Sequence, residues 1–149
     1  MIQWTWGLPQ TLLGAAVFIV HKKDRHFDYN GATATEWKRS DGVSLGKFIF
    51  VPEGSRKGDA AQHSNEHSIK SDDFLLIHEY GHTIQSLVLG PLYLPVIGIP
   101  SFIWSNVPAF ARKRQREQRS YYSFWVERSA NWLGERVLHR PSIGQALVD

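Results

Sequence analysis

Cysteine is absent from this 149-residue sequence, which excludes both a disulfide framework and a metal site built on thiolates. Any metal ion would have to be held by imidazoles and carboxylates, for which the chain has seven histidines and 14 acidic residues. Charged side chains are also missing from Met1 to Val20 and from Thr83 to Ala111. The residues that could perform chemistry therefore lie between and after two apolar stretches.

The remaining composition is that of a folded protein. Aromatic residues make up 13% of the chain and include six tryptophans, which argues against disorder. The length suffices for one hydrophobic core, and no internal repeat divides the chain. We therefore expect a single domain over residues 1–149, and the strands and helices predicted below make its class α+β. We expect no nucleic-acid partner, because the basic run Arg112 to Arg119 has no interleaved aromatic residues.

The most informative motif is H-E-x-x-H, which reads His78-Glu79-Tyr80-Gly81-His82. Residues four apart on an α-helix share a face, so the two imidazoles can bind one metal ion. Glu79 then lies at the edge of that face, where its carboxylate can act on a water molecule. The pattern predicts a zinc site with His78 and His82 as ligands and Glu79 as general base.

The helix that carries this motif is predicted to begin at Ser71, a suitable N-cap followed by two aspartates. The polar stretch Pro52 to Lys70 before it is predicted to be a loop. Within that loop, His63 to His67 forms the inverted zinc motif H-x-x-E-H. We expect these residues to lie over the mouth of the site, because they lack the helical apolar face that would fix two ligands.

Two segments rich in β-formers, Tyr29 to Trp37 and Val43 to Val51, are predicted strands. Ser40-Asp41-Gly42 between them is a suitable turn, so we expect a β-hairpin just before the zinc-binding helix. An edge strand there could hold an extended peptide through main-chain hydrogen bonds. A hairpin that only covers the core is an equally good interpretation.

A last helix is predicted from Ser120 to Arg140, ended by Pro141. Glu127 lies in the middle of its apolar face, where a lone buried carboxylate would be costly. A zinc ion would stabilise it, so Glu127 is the predicted third ligand. Asn131, one turn on, could accept a hydrogen bond from the outer nitrogen of a ligating histidine.

The two motifs together resemble those of the gluzincin metallopeptidases, in which H-E-x-x-H is followed by a helix with E-x-x-A-D. Here the second motif reads Glu127-Arg128-Ser129-Ala130-Asn131, with asparagine in the place of the aspartate. The sequence looks most like the membrane-associated branch that includes prenyl-protein and heat-shock peptidases. The resemblance implies a minimal zincin-like fold: an apolar N-terminal helix, a β-hairpin, the motif helix, a proline-broken apolar segment and a helix with the glutamate ligand.

The implied activity is hydrolysis of peptide bonds in a peptide or protein substrate, with Zn²⁺ as cofactor and Glu79 as general base. Tyr121, Tyr122 and His139 are candidate donors to the oxyanion of the transition state. A zinc-binding adaptor on a membrane surface, with little or no turnover, is the main alternative. A helical protein that binds no metal is a third.

The first apolar stretch, Met1 to Val20, is nearly continuously apolar from Leu12 onward and predicts an N-terminal helix, for which two environments fit. It is either buried in the core or embedded in a bilayer interface, with Trp4 and Trp6 at headgroup level and Lys22 and Lys23 meeting anionic lipid.

The second apolar stretch is long enough to cross a bilayer but is broken by Pro91, Pro95 and Pro100. A true crossing would place the basic run Arg112 to Arg119 on the opposite side from the basic residues after the first helix, against the positive-inside tendency. A segment that dips in and returns avoids this. We therefore expect a cytoplasmic protein or one associated with the cytoplasmic membrane side, with an anionic membrane surface as a candidate partner.

Overall fold

A computed structural model describes residues 2–55 and 66–146, with side chains described over 3–55 and 74–144. The fold is α+β, with helices on both faces of a four-stranded mixed sheet. The helices are α1 (Leu8–Val20), α2 (Glu66–Leu89), α3 (Ile99–Asn106), α4 (Pro108–Glu117), α5 (Trp125–Leu138) and α6 (Ile143–Ala146). The strands are β1 (Arg25–Tyr29), β2 (Ala32–Trp37), β3 (Val43–Leu45) and β4 (Phe48–Pro52).

The sheet has the order β1-β2-β4-β3, and the predicted hairpin between Tyr29 to Trp37 and Val43 to Val51 is wrong. β2 and β4 are paired in parallel, whereas β1 with β2 and β3 with β4 are antiparallel. The first tight turn is Asn30-Gly31, where both residues have positive φ, the geometry that an Asn-Gly turn favours. Ser40 to Gly42 lies instead in the connection from β2 to β3.

Strand β4 occupies the centre of the core, because its side chains are buried on both faces of the sheet. Ile49 and Val51 pack with Leu76 of α2, while Phe48 and Phe50 pack with Phe18 of α1. The sheet is thus sandwiched between α1 and the motif helix α2. The predicted N-terminal helix is confirmed as α1.

Helix α2 also begins earlier than predicted, at Glu66 instead of after Ser71. Residues 66–71 contain neither glycine nor proline, so nothing in them stops a helix from extending. The predicted loop to Lys70 is therefore shorter. The inverted motif, His63 to His67, lies outside the residues whose side chains are described.

The second apolar stretch is broken as predicted, into short helical turns over Gly90–Leu92 and Leu94–Gly98 followed by α3 and α4. Within the described part of the chain, no single helix has both the length and the hydropathy to cross a bilayer. One pair of helical segments, Leu94–Asn106 and Pro108–Glu117, has the required length and hydropathy when the two are taken together, but the pair is bent by 74°.

The last helix begins at Trp125, not Ser120. The Ser120 side chain accepts a hydrogen bond from the Tyr122 backbone and so caps a separate 3-10 turn, Tyr121–Ser123. Phe124 is extended and separates that turn from α5. The two tyrosines are therefore placed by a turn and not by the glutamate helix.

Helices α2 and α5 pack backbone against backbone. A Cβ atom on Gly81 would collide with the Ala130 carbonyl, and one on Gly134 would collide with the Ile77 carbonyl. Glycine at both positions lets the two helices approach closely, which brings the histidine face of α2 onto the glutamate face of α5.

Replacing Gly134 with alanine should lower the free energy of unfolding by about 2 kcal/mol, because the added methyl group must push two backbones apart. Chemical denaturation of wild type and variant measures this. Gly98→Ala is the matched control, since its nearest neighbour is the flexible Leu94 side chain at 3.3 Å and alanine favours a helix. Equal stability changes in the two variants would show that the close approach is not required.

Candidate metal centre

Three buried side chains, from α2 and α5, converge on one point. The Nε2 atoms of His78 and His82 each lie 3.2 Å from the same oxygen of Glu127, its Oε2. The ligand atoms of the three residues all lie within 4.8 Å of one another. Two atoms bound at the usual lengths to one tetrahedral zinc ion are roughly 3.3 Å apart. The structure thus brings the three predicted ligands close enough together that they could hold a metal ion.

The outer nitrogens of both imidazoles have hydrogen-bond acceptors. His82 Nδ1 is 2.7 Å from Gln85 Oε1, and the Gln85 amide is oriented by donating to the Val126 carbonyl and to Ser129 Oγ. His78 Nδ1 is 2.8 Å from Asn131 Oδ1. Each Nδ1 therefore carries a proton, and in a neutral ring the lone pair of Nε2 faces the carboxylate.

A positive charge is needed between the two Nε2 lone pairs and the carboxylate oxygen that they face. Either protons or a metal ion can supply that charge. In the absence of metal, the rings form hydrogen-bonded ion pairs with Glu127. Burial by itself would raise the Glu127 pKa, but the hydrogen bonds and positive charge of both histidines lower it well below its usual value. Burial works against protonation of His82, yet its bond to Glu127 raises the His82 pKa.

The other oxygen of Glu127 is occupied by a contact that the sequence did not predict. Ser101 Oγ, from α3, donates to Glu127 Oε1 over 2.5 Å, so the carboxylate presents Oε2 to the two imidazoles. Gln85 was also missed, although it lies at i+3 from His82 on the same helix face. Ser101 had no such local signal, because its position depends on how the proline-broken segment folds back.

Glu79 is buried beside the triad and packs against Gly42, where the structure leaves no room for a Cβ atom. Among the described residues, its Oε2 has no hydrogen-bond partner. Burial raises the Glu79 pKa, and the nearby charge of His78 and His82 only partly opposes this shift. A buried carboxylate oxygen without a partner is expected where a water molecule or a substrate group completes the site.

A cavity of about 530 Å³ opens onto these residues. Its wall includes His78, Glu79, His82, Glu127, Tyr121, Tyr122, Ser101, Phe102 and strand β3. Strand β3 is an edge strand of the sheet.

Tyr121 and Tyr122 are two of the tyrosines that line the cavity, and burial raises the pKa of both phenols further above neutrality, so both are protonated at neutral pH. The ring of Tyr122 packs edge-on against His78, with centroids 5.1 Å apart. The third predicted oxyanion donor, His139, is not brought to the cavity. It is exposed at the end of α5 and lines a separate depression beside Trp132.

The buried group of His78, His82 and Glu127 could hold a metal ion, and its two nitrogens and one carboxylate are a ligand set that zinc accepts. The same three residues satisfy one another as ion pairs, so the geometry alone fits both states. No protein-family model, no curated protein and no solved structure matches this chain.

Proposed function

We propose that this protein is a zinc-dependent peptide hydrolase. The observation that carries the proposal is the convergence of two oriented imidazoles on one carboxylate oxygen. Beside them in an open cavity lies Glu79, whose Oε2 has no hydrogen-bond partner among the described residues. Two histidines and one glutamate leave a fourth position for water or substrate, as in catalytic zinc sites. The resemblance of the two motifs to those of gluzincin metallopeptidases supports the same reaction.

Zinc bound to His78, His82 and Glu127 would lower the pKa of a water molecule and polarise the scissile carbonyl. Glu79 would take a proton from the attacking water on its free Oε2 and pass it to the leaving amine. Its raised pKa suits this role, because a carboxylate with a higher pKa is a stronger base and takes the proton of the water more readily. Gln85 and Asn131 would hold the imidazoles in the orientation and tautomer that binding requires.

The cavity also offers places for the substrate backbone and for the oxyanion. The edge strand β3 lines the cavity and could pair with an extended peptide. The Tyr122 ring packs against His78, so we take Tyr122 as the donor to a developing oxyanion.

Zinc content and peptide cleavage measured on the same preparation test the proposal. We expect about one zinc per chain by elemental analysis, hydrolysis of unfolded protein or a peptide library, and loss of hydrolysis on chelation with recovery on adding zinc. A metal-free protein that cleaves nothing even after zinc is added would overturn it.

Tyr122→Phe should lower kcat by about 10- to 100-fold with little change in KM, because the lost hydroxyl acts mainly in the transition state. Steady-state kinetics on one cleaved peptide measures both constants. Tyr121→Phe should have a smaller effect, and His139→Ala should have none because that residue lies outside the cavity. An unchanged kcat in Tyr122→Phe would remove the tyrosine from the mechanism.

A second candidate function is a zinc-stabilised adaptor on a membrane surface that does not turn over. Asn131 favours it, because an asparagine holds His78 without the negative charge that would make the imidazole more basic. Bound zinc without cleavage of peptides or membrane-bound substrates would select this function over hydrolysis.

A further inference from the structure

Helix α1 buries polar side chains and exposes apolar ones, which is the reverse of the usual arrangement. Gln10 and Thr11 are fully buried, while Leu12 and Leu13 are about half exposed, at 53% and 50%. The buried Gln10 side chain donates to Ser86 Oγ and to the Gly90 carbonyl, which fixes the helix in this orientation. An exposed apolar face held in place by buried polar contacts is unfavourable in water and indicates a surface with an apolar partner.

A second exposed apolar face lies on the outer side of a segment that also forms part of the cavity wall. Exposed apolar residues recur at helical spacing along residues 92–103, on the outer side of the segment that ends in α3. They are Leu92, Val96, Ile99, Phe102 and Ile103. The inner side of the same segment, with Ser101 and Gly98, lines the cavity. Phe102 belongs to both, since it is 67% exposed and also lines the cavity.

The two segments approach each other just before these faces begin, where the Trp6 ring lies directly against Gly90. Exposed basic residues follow each face along the chain. Lys22 and Lys23 come just after α1, and α4, which follows α3, carries Lys113 and Arg116 among its exposed residues. Apolar surface combined with exposed tryptophans and flanking positive charge is what the interface of an anionic bilayer attracts.

We propose that the apolar outer faces of α1 and of residues 90–106 dock this protein on the surface of an anionic phospholipid bilayer. Docking through these faces would place the cavity, by way of Phe102, beside the lipid headgroups. If the proposed hydrolysis holds, its substrates are then polypeptide segments at the membrane surface. The docking itself needs no catalysis.

Flotation of the full-length protein with vesicles tests the docking. We expect flotation with vesicles of phosphatidylcholine and phosphatidylserine, weaker flotation with phosphatidylcholine alone, and release by high salt. Failure to float with the anionic vesicles would overturn the proposal. Equal flotation with both vesicle types would overturn the choice of an anionic surface.

Matched variants locate the surface. Ile99→Ser/Ile103→Ser should weaken partitioning by about tenfold or more, because two apolar side chains leave the interface. Trp132→Ser/Val137→Ser is the control, since those residues are about as exposed but belong to α5, which forms neither face. If the two double variants partition equally, the proposed face is wrong.

A second pair of variants tests how much the basic residues contribute to binding of the anionic vesicles. Lys113→Gln/Arg116→Gln should weaken binding by about fivefold per charge, whereas Arg128→Gln/Arg136→Gln on α5 should have little effect. Glu79→Gln should float like wild type, so a failed hydrolysis assay and a failed docking assay remain distinguishable. The protein could instead fail to float, sediment as a dimer and become a monomer in the variant Ile99→Ser/Ile103→Ser. That result would make this face an interface between two copies and would overturn the proposal.

Discussion

Glu79→Gln is expected to abolish peptide hydrolysis while leaving zinc bound. The substitution keeps the size of the side chain but removes the only group in the proposed mechanism that can take the proton of the attacking water. General-base catalysis contributes about 10²- to 10⁴-fold, so kcat should fall by at least that range. Zinc content should stay at the wild-type level, because Glu79 is not among the three converging ligands. Cleavage retained in this variant would remove the general-base assignment.

The same variant should make the metal-free protein more stable at neutral pH. Burial raises the pKa of Glu79 above its value in the unfolded chain, so the folded state holds this proton to a higher pH. The wild type therefore loses the contribution of Glu79 to stability as pH rises from the unfolded pKa through the folded one, and the glutamine variant has no such contribution to lose. The stability gain should be largest at neutral pH and vanish at acidic pH, where Glu79 is protonated in both states.

Chemical denaturation in the presence of a chelator, repeated across that pH range, measures the difference between the two proteins. Glu53→Gln is the control, because Glu53 is exposed and its substitution should change stability little at any pH. A glutamine variant that is less stable than wild type at neutral pH, or a difference that does not depend on pH, would contradict the account of a buried, unpartnered carboxylate.

Glu127→Ala should have the second large effect, on both metal binding and stability. The variant leaves His78 and His82 facing an empty space, and it also removes the acceptor of the Ser101 hydroxyl. Removal of one partner from a buried ion pair costs about 3–5 kcal/mol. Zinc affinity should fall at least 100-fold, because two imidazoles are too few ligands for a stable site.

Elemental analysis and chemical denaturation of the Glu127→Ala variant measure these two losses. Arg128→Ala is the matched control on the same helix, since Arg128 is exposed and points away from the triad. Glu127→Gln tests the charge separately, because it preserves the shape and should lose most of the metal with a smaller loss of stability. Zinc retained at full occupancy in Glu127→Ala would refute the role of this residue as a ligand.

Most of the helical framework was predictable, because it depends on short-range regularities. The spacing of four residues placed His78 and His82 on one helix face, and the second apolar stretch is not one straight helix, as expected. The approach of Glu127 to the histidines was predictable by a different argument, from the cost of a lone buried carboxylate. The Asn30-Gly31 turn carried a local signal as well, which the predicted strand from Tyr29 to Trp37 overlooked.

By itself, the sequence determined which residue types are available for chemistry and which of them share a helix face, since both follow from composition and helical period. Only the tertiary structure decided which strands pair, that Ser101 contacts Glu127, and that Tyr122 lines the cavity while His139 does not. These outcomes depend on contacts between residues far apart in the chain. The close packing at Gly81 and Gly134, which brings α2 and α5 together, has the same origin. Such contacts are set by how whole elements pack, and no short stretch of sequence specifies that packing.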